Sequence, residues 1–202
     1  MNLQYSIQIG DQLFDYTDPY AHTPNLCDAV AGISKIGRFG GHTRELYSVA
    51  QHCVFVSVLA EADGGGWSGL AHDLAEAYYG DFPSPLKAFI RNSCPMLMAR
   101  LNTIDVVVED AFLFDPKLPS VKKADLVALV TERRDLMPKG NADVAEAWAV
   151  FGAIRPSNYV LFPLSPERAE KAWWRRYYQL LDQGKAPKFP NTPQRAWCED
   201  PK

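Results

Sequence analysis

Hydrophobic residues along this chain recur mainly at the spacing of amphipathic helices. Leu26, Val30 and Ile33 follow Asn25 in this pattern and predict a helix that ends near residue 36. In the next helix the pattern turns Leu46, Val49, Cys53, Val56 and Leu59 inward and places His52 at the edge of that stripe. The same reasoning predicts helices over 46–62, 67–79, 95–112, 119–137, 141–151 and 166–183.

Shorter segments break this helical pattern. Residues 1–22 alternate apolar and polar side chains and predict a short strand or hairpin followed by a proline turn. We interpret 37–44 as a loop, Pro83–Pro85 as a turn before a short segment, and 155–164 as extended chain. The proline-rich tail 184–202 is expected to wrap the surface or fray.

These elements predict a mostly α-helical bundle with at most a small β element, near the N-terminus or within 155–164. At 202 residues and 47% hydrophobic content, the chain is expected to form one domain, 1–202, with its core over 25–137.

Charge and cysteine content narrow the functional classes. A net charge of −3 argues against non-specific nucleic-acid binding, which needs many lysines and arginines on phosphates. The four cysteines form no C-x-x-C pair, and no signal peptide or membrane-length apolar run is present. We therefore expect a reduced, cytoplasmic protein that binds neither membranes nor nucleic acid. If the chain is phage-encoded, this compartment is the host cytosol. We also expect the protein to form a homo-oligomer.

A set of histidines and aspartates carries the chemistry. His72 and Asp73 are adjacent, with His52 upstream and Asp125 downstream, so the set reads H…HD…D over three predicted helices. Two imidazoles and two carboxylates suit a divalent transition metal, which lowers the pKa of coordinated water. The sequence predicts one such ion per subunit (Co, Mn, Zn, Fe or Ni), and additional Mg²⁺ or Mn²⁺ can accompany a phosphate substrate.

Two more acidic residues follow the histidine–aspartate pair. Glu76 lies three and four residues after Asp73 and His72, so on a helix all three share a face. Asp81 follows Gly80, a plausible helix stop, and a loop can turn it back toward the same pocket. We expect Glu76 to act as a base beside the metal and Asp81 to donate a proton or order the attacking water.

The segment HDLAEAYYGDFPSPLK resembles the core of the HD-domain phosphohydrolases, and among them the bacterial 5'-deoxynucleotidases. VKKAD at 121–125 resembles the family motif that carries the last metal ligand. YSVAQHC at 47–53 resembles the phage branch, which includes hydrolases of deoxynucleoside triphosphates such as dATP. The resemblance spans about 25–137 and implies an all-α HD domain whose ligands are His52, His72, Asp73 and Asp125.

The resemblance also implies residues that bind substrate. Lys87 occupies the position of the family's phosphate-contacting lysine, and Phe39 that of an aromatic residue that rejects the ribose 2'-OH. Arg38 is the main candidate for gripping a phosphate, because a guanidinium can bind it bidentately. The remaining substrate-binding candidates are His42, Arg44 and Lys122.

The predicted function is therefore hydrolysis of deoxynucleoside 5'-phosphates by attack of metal-bound water on the α-phosphate. A monophosphatase and a triphosphohydrolase both attack this phosphorus and both stay open. Alternatives are a guanosine-tetraphosphate-type hydrolase, which Ala77 after Glu76 disfavours, and a non-catalytic nucleotide-binding module. Glu132 and Asp135 follow Asp125 at seven and ten residues and can share its helix face. Contacts behind the site or between subunits are alternatives for both, but we interpret them as solvated surface residues. The chain lacks HExxH, a phosphate loop and a complete G-x-S-x-G motif.

Overall fold

The computed structural model describes residues 3–198, and helices dominate this part of the chain. One antiparallel hairpin precedes the helices, with strands β1 (Ser6–Ile9) and β2 (Gln12–Asp15). The helices are α1 (Leu26–Ile33), α2 (Val49–Ala60), α3 (Gly66–Ala71), α4 (Glu76–Tyr79), α5 (Ser84–Ser93), α6 (Pro95–Phe112), α7 (Pro119–Leu136), α8 (Ala142–Trp148), α9 (Pro166–Asp182) and α10 (Arg195–Cys198). The predicted mostly-α fold with a small N-terminal β element is confirmed.

Side-chain caps begin several helices where the sequence predicts them. The side-chain oxygen of Asn25 accepts hydrogen bonds from the backbone N–H groups of Cys27 and Asp28 at the start of α1. Ser48 caps α2 in the same way through Gln51, and Asn141 caps α8 through Val144. A cap at Ser48 begins α2 three residues later than predicted, which leaves Leu46 outside the helix and 41% exposed.

The main hydrophobic core includes residues of α9 and of the tail. Trp173, Trp174 and Tyr177 of α9 are fully buried against α2 and α3. Trp173 also donates its indole N–H to the carbonyl of Leu70. Within the tail, Phe189 packs on Trp67 and Cys198 is buried, so this part wraps the surface; residues 199–202 lie outside the described part.

A helix replaces the short segment predicted after Pro83–Pro85. Helix α5 begins at Ser84, with Pro85 in its first turn. A proline in the first turn of a helix loses no hydrogen bond, because the first backbone N–H groups have no partner within the helix. The interpretation of Pro83–Pro85 as a turn is therefore wrong, because these prolines mark the start of a helix. The predicted extended segment 155–164 contains no strand.

The prediction of one continuous helix over 67–79 is wrong, because the backbone winds more tightly at His72 and Asp73. Helix α3 ends at Ala71, and α4 begins only at Glu76. Between them Leu74 and Glu76 donate their N–H groups to carbonyls three residues earlier, the 3₁₀ pattern. In that geometry side chains three residues apart eclipse, so Asp73 and Glu76 still share one side of the chain.

Candidate metal centre

Helices α2 and α3 bring the histidines and the first aspartate together. A Cβ atom added to Gly69 would lie 3.1 Å from the Cα atom of Ser57, so glycine permits this close crossing. The Nε2 atoms of His52 and His72 lie 3.2 Å apart, and Asp73 Oδ2 lies 3.6 and 3.3 Å from them. These three ligand atoms all fall within 4.8 Å of one another, a spacing that one metal ion can bridge.

Asp125 approaches the same centre from α7. Its Oδ1 atom lies 3.2 Å from Nε2 of His52, and its side chain is 44% exposed. The fourth predicted ligand therefore stands at the solvent side of a cluster whose other members are buried or half-buried. The described residues thus converge in the two-histidine, two-carboxylate arrangement expected from the sequence.

The donor set of this cluster could hold a divalent metal ion. Both histidines direct Nε2 toward the cluster, because the Nδ1 atoms are engaged elsewhere. Nδ1 of His72 donates to the carbonyl of Gly69 at 2.8 Å, since a carbonyl can only accept. Imidazole nitrogens and carboxylate oxygens together favour an ion of intermediate softness.

A buried carboxylate supports His52 from behind. Oε1 of Glu132 lies 2.6 Å from Nδ1 of His52, and both side chains are fully buried. The interpretation of Glu132 as a solvated surface residue is therefore wrong. Its seven-residue separation from Asp125, which places both on one face of α7, was the signal that could have identified it.

The electrostatics of the cluster reflect its dense packing of charge. Burial and the Arg38 guanidinium lower the pKa of His52, but the carboxylates of Glu132 and Asp125 outweigh them and raise it. Burial raises the pKa of Asp73, yet His72, His52 and Arg38 together bring it far below its usual range. The pKa of Asp125 is likewise lowered, because His52 and His72 outweigh burial.

Glu76 is buried beside the cluster and is paired with Lys87. Lys87 Nζ lies 3.2 Å from Glu76 Oε1, while the other carboxylate oxygen, Oε2, has no hydrogen-bond partner. Burial raises the pKa of Glu76 well above its usual range, and Asp73 and Asp81 raise it further. Lys87, predicted to contact phosphate, is thus half-buried and held within reach of the cluster by this pair.

Arg38 links the cluster to the loop before α2. Its NH1 atom lies 3.6 Å from Asp73 Oδ2 and 3.9 Å from Asp81 Oδ1, and NH2 lies 3.5 Å from Glu132 Oε2. These carboxylates raise the pKa of Arg38 in spite of its burial. Arg38 and Asp81 therefore lie at the site, as the sequence predicts.

Phe39 adopts a backbone conformation that is rare for its residue type. Its φ and ψ angles are 57° and 32°, in the left-handed region, and its N–H donates to Asp81 Oδ2 at 3.0 Å. The Arg38 guanidinium lies 5.6 Å from the centre of the Phe39 ring, and the Trp148 ring lies 6.4 Å away on the other side. Phe39 thus forms an aromatic wall next to the charged cluster.

The other predicted substrate-binding residues are exposed. His42 and Arg44 lie in the loop that follows Phe39, and only backbone hydrogen bonds hold them there. Lys122 is exposed on α7, one turn before Asp125. No contact joins these three side chains to the cluster within the described residues.

Over this same part of the chain, no helix is both long and apolar enough to cross a membrane.

Fold and site together define a mostly α-helical protein with a partly buried two-histidine, one-aspartate cluster that can hold a metal ion. The chain is 34% identical over 157 residues to the uncharacterized protein YfdR of Escherichia coli (strain K12), covering 77% of this chain and 83% of that protein. It belongs to the same family as YfdR. No family model matches the chain.

Proposed function

We propose that this protein is an HD-domain, divalent-metal-dependent phosphohydrolase that acts on deoxynucleoside 5'-phosphates. The observation that carries the proposal is the convergence of His52, His72, Asp73 and Asp125 with Arg38 and Glu76 around one small volume. A divalent ion held there would supply a Lewis acid for the phosphate and activate water for attack on the α-phosphorus.

The side chains around this volume divide the remaining work. Glu76 has one carboxylate oxygen without a partner, so it is available to accept the proton of the attacking water. Asp81 is oriented by the Phe39 N–H and stands next to Arg38, where it can protonate the departing 5'-oxygen. Arg38 and Lys87 supply positive charge for the non-bridging phosphate oxygens, with Arg44 and Lys122 as exposed candidates for further phosphates.

Phe39 supports a preference for deoxyribose over ribose. Its left-handed backbone and its hydrogen bond to Asp81 fix the ring beside Arg38, where the reacting phosphate would lie in this proposal. An apolar wall against C2' would strip water from a 2'-hydroxyl without offering it a partner, which disfavours ribonucleotides. We therefore propose free deoxynucleotides as substrates, with the choice between monophosphates and triphosphates left to measurement.

The direct test is incubation of the purified protein with dNMPs, dNTPs and their ribose counterparts in the presence of Mg²⁺, Mn²⁺ or Co²⁺. We expect a deoxynucleoside as product, with phosphate released from dAMP or tripolyphosphate from dATP, identified by mass spectrometry. His72→Ala, prepared in parallel, controls for contaminating phosphatases, because it removes a metal ligand.

Each other outcome has a definite meaning. Hydrolysis of guanosine tetraphosphate alone would replace the proposal with the guanosine-tetraphosphate alternative. Saturable nucleotide binding without any turnover would indicate a binding module. Equal kcat/KM values for dAMP and AMP, and for dATP and ATP, would remove the deoxy preference.

A further inference from the structure

His52 is held through both of its ring nitrogens by a single helix. Nε2 faces Asp125 Oδ1 at 3.2 Å, and Nδ1 faces Glu132 Oε1 at 2.6 Å. Asp125 and Glu132 are seven residues apart on α7, which is nearly two turns and about 10 Å along the axis. The His52 imidazole, which α2 carries, therefore lies along one face of α7 between the carboxylates of Asp125 and Glu132.

The two distances differ in a way that selects one tautomer. A neutral imidazole carries one proton, and the nitrogen with the shorter, charge-assisted contact keeps it. The contact to Glu132 is shorter by 0.6 Å than the contact to Asp125. The shorter contact therefore favours the tautomer with its proton on Nδ1, in which the lone pair of Nε2 would point toward His72 and Asp73.

The burial of Glu132 supports a specific role for this residue. Its side chain is fully removed from water, and a carboxylate in such a place is destabilising unless it is paired. Its close partners are His52 and Arg38, which both belong to the site, and the buried Tyr47 hydroxyl also interacts with its carboxylate. Within the described part of the chain, Glu132 Oε2 is buried without a hydrogen bond of ordinary geometry, so Arg38 at 3.5 Å and Tyr47 together offset part of the cost of burying it.

We propose that Glu132 is a positioning residue that fixes the tautomer and ring orientation of His52 and thereby prepares Nε2 to bind a metal ion. Carboxylates behind metal-binding histidines typically change metal affinity or activity by about 10–100-fold when they are removed. Glu132 contacts neither the ion nor the substrate. The proposal concerns the metal centre alone and stands whether or not the chain hydrolyses nucleotides.

The test compares Glu132→Leu and Glu132→Gln with the wild-type protein. Mn²⁺ and Co²⁺ affinities are measured by titration calorimetry without nucleotide, and ¹⁵N NMR of the metal-free protein reports the His52 tautomer at a pH where its ring is neutral. His52→Gln assigns the signal. Thr131→Val is the matched control, because Thr131 is the buried polar neighbour on α7 and bonds only to backbone groups of Val127 and Ser157.

We expect Glu132→Leu to weaken metal binding by about 10–100-fold and to move the His52 proton off Nδ1 in part of the population. Glu132→Gln keeps an oxygen that accepts from Nδ1, so its affinity should fall less. Thr131→Val should retain both the affinity and the tautomer. If Glu132→Leu does not fold, the metal affinity and the His52 tautomer of Glu132→Gln test the proposal instead.

Three results would overturn the proposal. The first is wild-type metal affinity in a folded Glu132→Leu protein. The second is an equal loss in Thr131→Val, which would indicate only helix packing. The third is a wild-type His52 whose neutral ring carries its proton on Nε2. A chain with intact metal binding but no hydrolysis of any nucleotide would contradict the proposed function and leave this inference in place.

Discussion

His72 combines two tasks at the residue scale. Its Nδ1–H is committed to the Gly69 carbonyl, and its Nε2 lies within 3.3 Å of both His52 and Asp73. We expect His72→Ala to abolish tight metal binding and any hydrolase activity together, because no other histidine in the described part of the chain can replace its Nε2 atom. Metal content after gel filtration, measured by plasma mass spectrometry, checks this. Retention of one ion per subunit by His72→Ala would contradict the assignment of His72 as a ligand.

Glu76 is predicted to act on the reaction and not on metal retention. Glu76→Gln keeps the shape of the side chain and a partner for Lys87, but it removes the basic carboxylate. We expect kcat to fall by about 10²–10⁴-fold, the usual scale of general acid–base catalysis, with metal content unchanged. Kinetics and metal analysis on the same preparation separate the two effects. Near-wild-type turnover would show that another group accepts the proton.

At the scale of elements, the crossing of α2 and α3 determines where the two histidines meet. A Cβ at position 69 would press on the backbone of Ser57 at 3.1–3.2 Å, and backbone atoms cannot turn aside as a side-chain end can. We expect Gly69→Ala to lower the free energy of unfolding by about 1–3 kcal/mol, as overpacking does. Metal affinity should fall with it, because the crossing positions His52 against His72.

Gly152→Ala is the control for this substitution, because its added Cβ would lie 3.1 Å from the Ala149 carbonyl, a comparable crowding within one exposed turn and away from the crossing of α2 and α3. It should therefore retain metal affinity. Urea unfolding and calorimetric metal titration are the two measurements. A Gly69→Ala protein with wild-type stability would show that the helices can move apart without loss.

The N-terminal hairpin is attached to the helices through an aromatic cluster that contains a titratable ring. His22 is 8% exposed, contacts Phe14 and Tyr78, and has no hydrogen-bond partner on either ring nitrogen. Burial lowers the pKa of His22 below 6.5, and Asp28 opposes this only in part. The unfolded chain therefore binds the proton more readily than the folded protein does.

Because of this difference, His22 should make the folded protein less stable as the pH falls from about 7 through 6.5 and below the folded-state pKa. Stability above pH 7 should be insensitive to this group. We expect His22→Phe, which keeps the ring contacts, to reduce the fall in unfolding free energy between pH 7 and 5. His42→Gln, at an exposed histidine, is the control. An unchanged pH profile in His22→Phe would contradict the expectation.

At the scale of the whole molecule, charge and the placement of cations argue against nucleic acid as a partner. The chain carries a net charge of −3, and the candidate phosphate-binding cations Arg38 and Lys87 are half-buried at one site and do not form an exposed basic surface. We expect no saturable binding of labelled single-stranded or duplex DNA in fluorescence anisotropy at near-physiological salt. Salt-dependent binding in the micromolar range would contradict this.

The expected homo-oligomer also stays a prediction, which sedimentation velocity tests.

Local patterns in the sequence predicted most of the helices, though not α5 or the break between α3 and α4, and identified side chains that could hold a metal ion. Helical periodicity and caps are local properties, so the starts of α1, α6, α7 and α9 lie within about two residues of the predicted ones. The order of His52, His72, Asp73 and Asp125 likewise identified residues that the fold brings together.

Only the tertiary structure decided which partners surround these groups. Glu132 lies 80 residues from His52 in sequence, and its place on the Asp125 face of α7 does not by itself show that the carboxylate is buried against that histidine. The same holds for the pairing of Lys87 with Glu76 and for the core position of α9, whose place depends on packing against α2 and α3. The tight turn at His72 also escaped the periodic pattern, because the crossing of α2 and α3 at Gly69 is a tertiary feature.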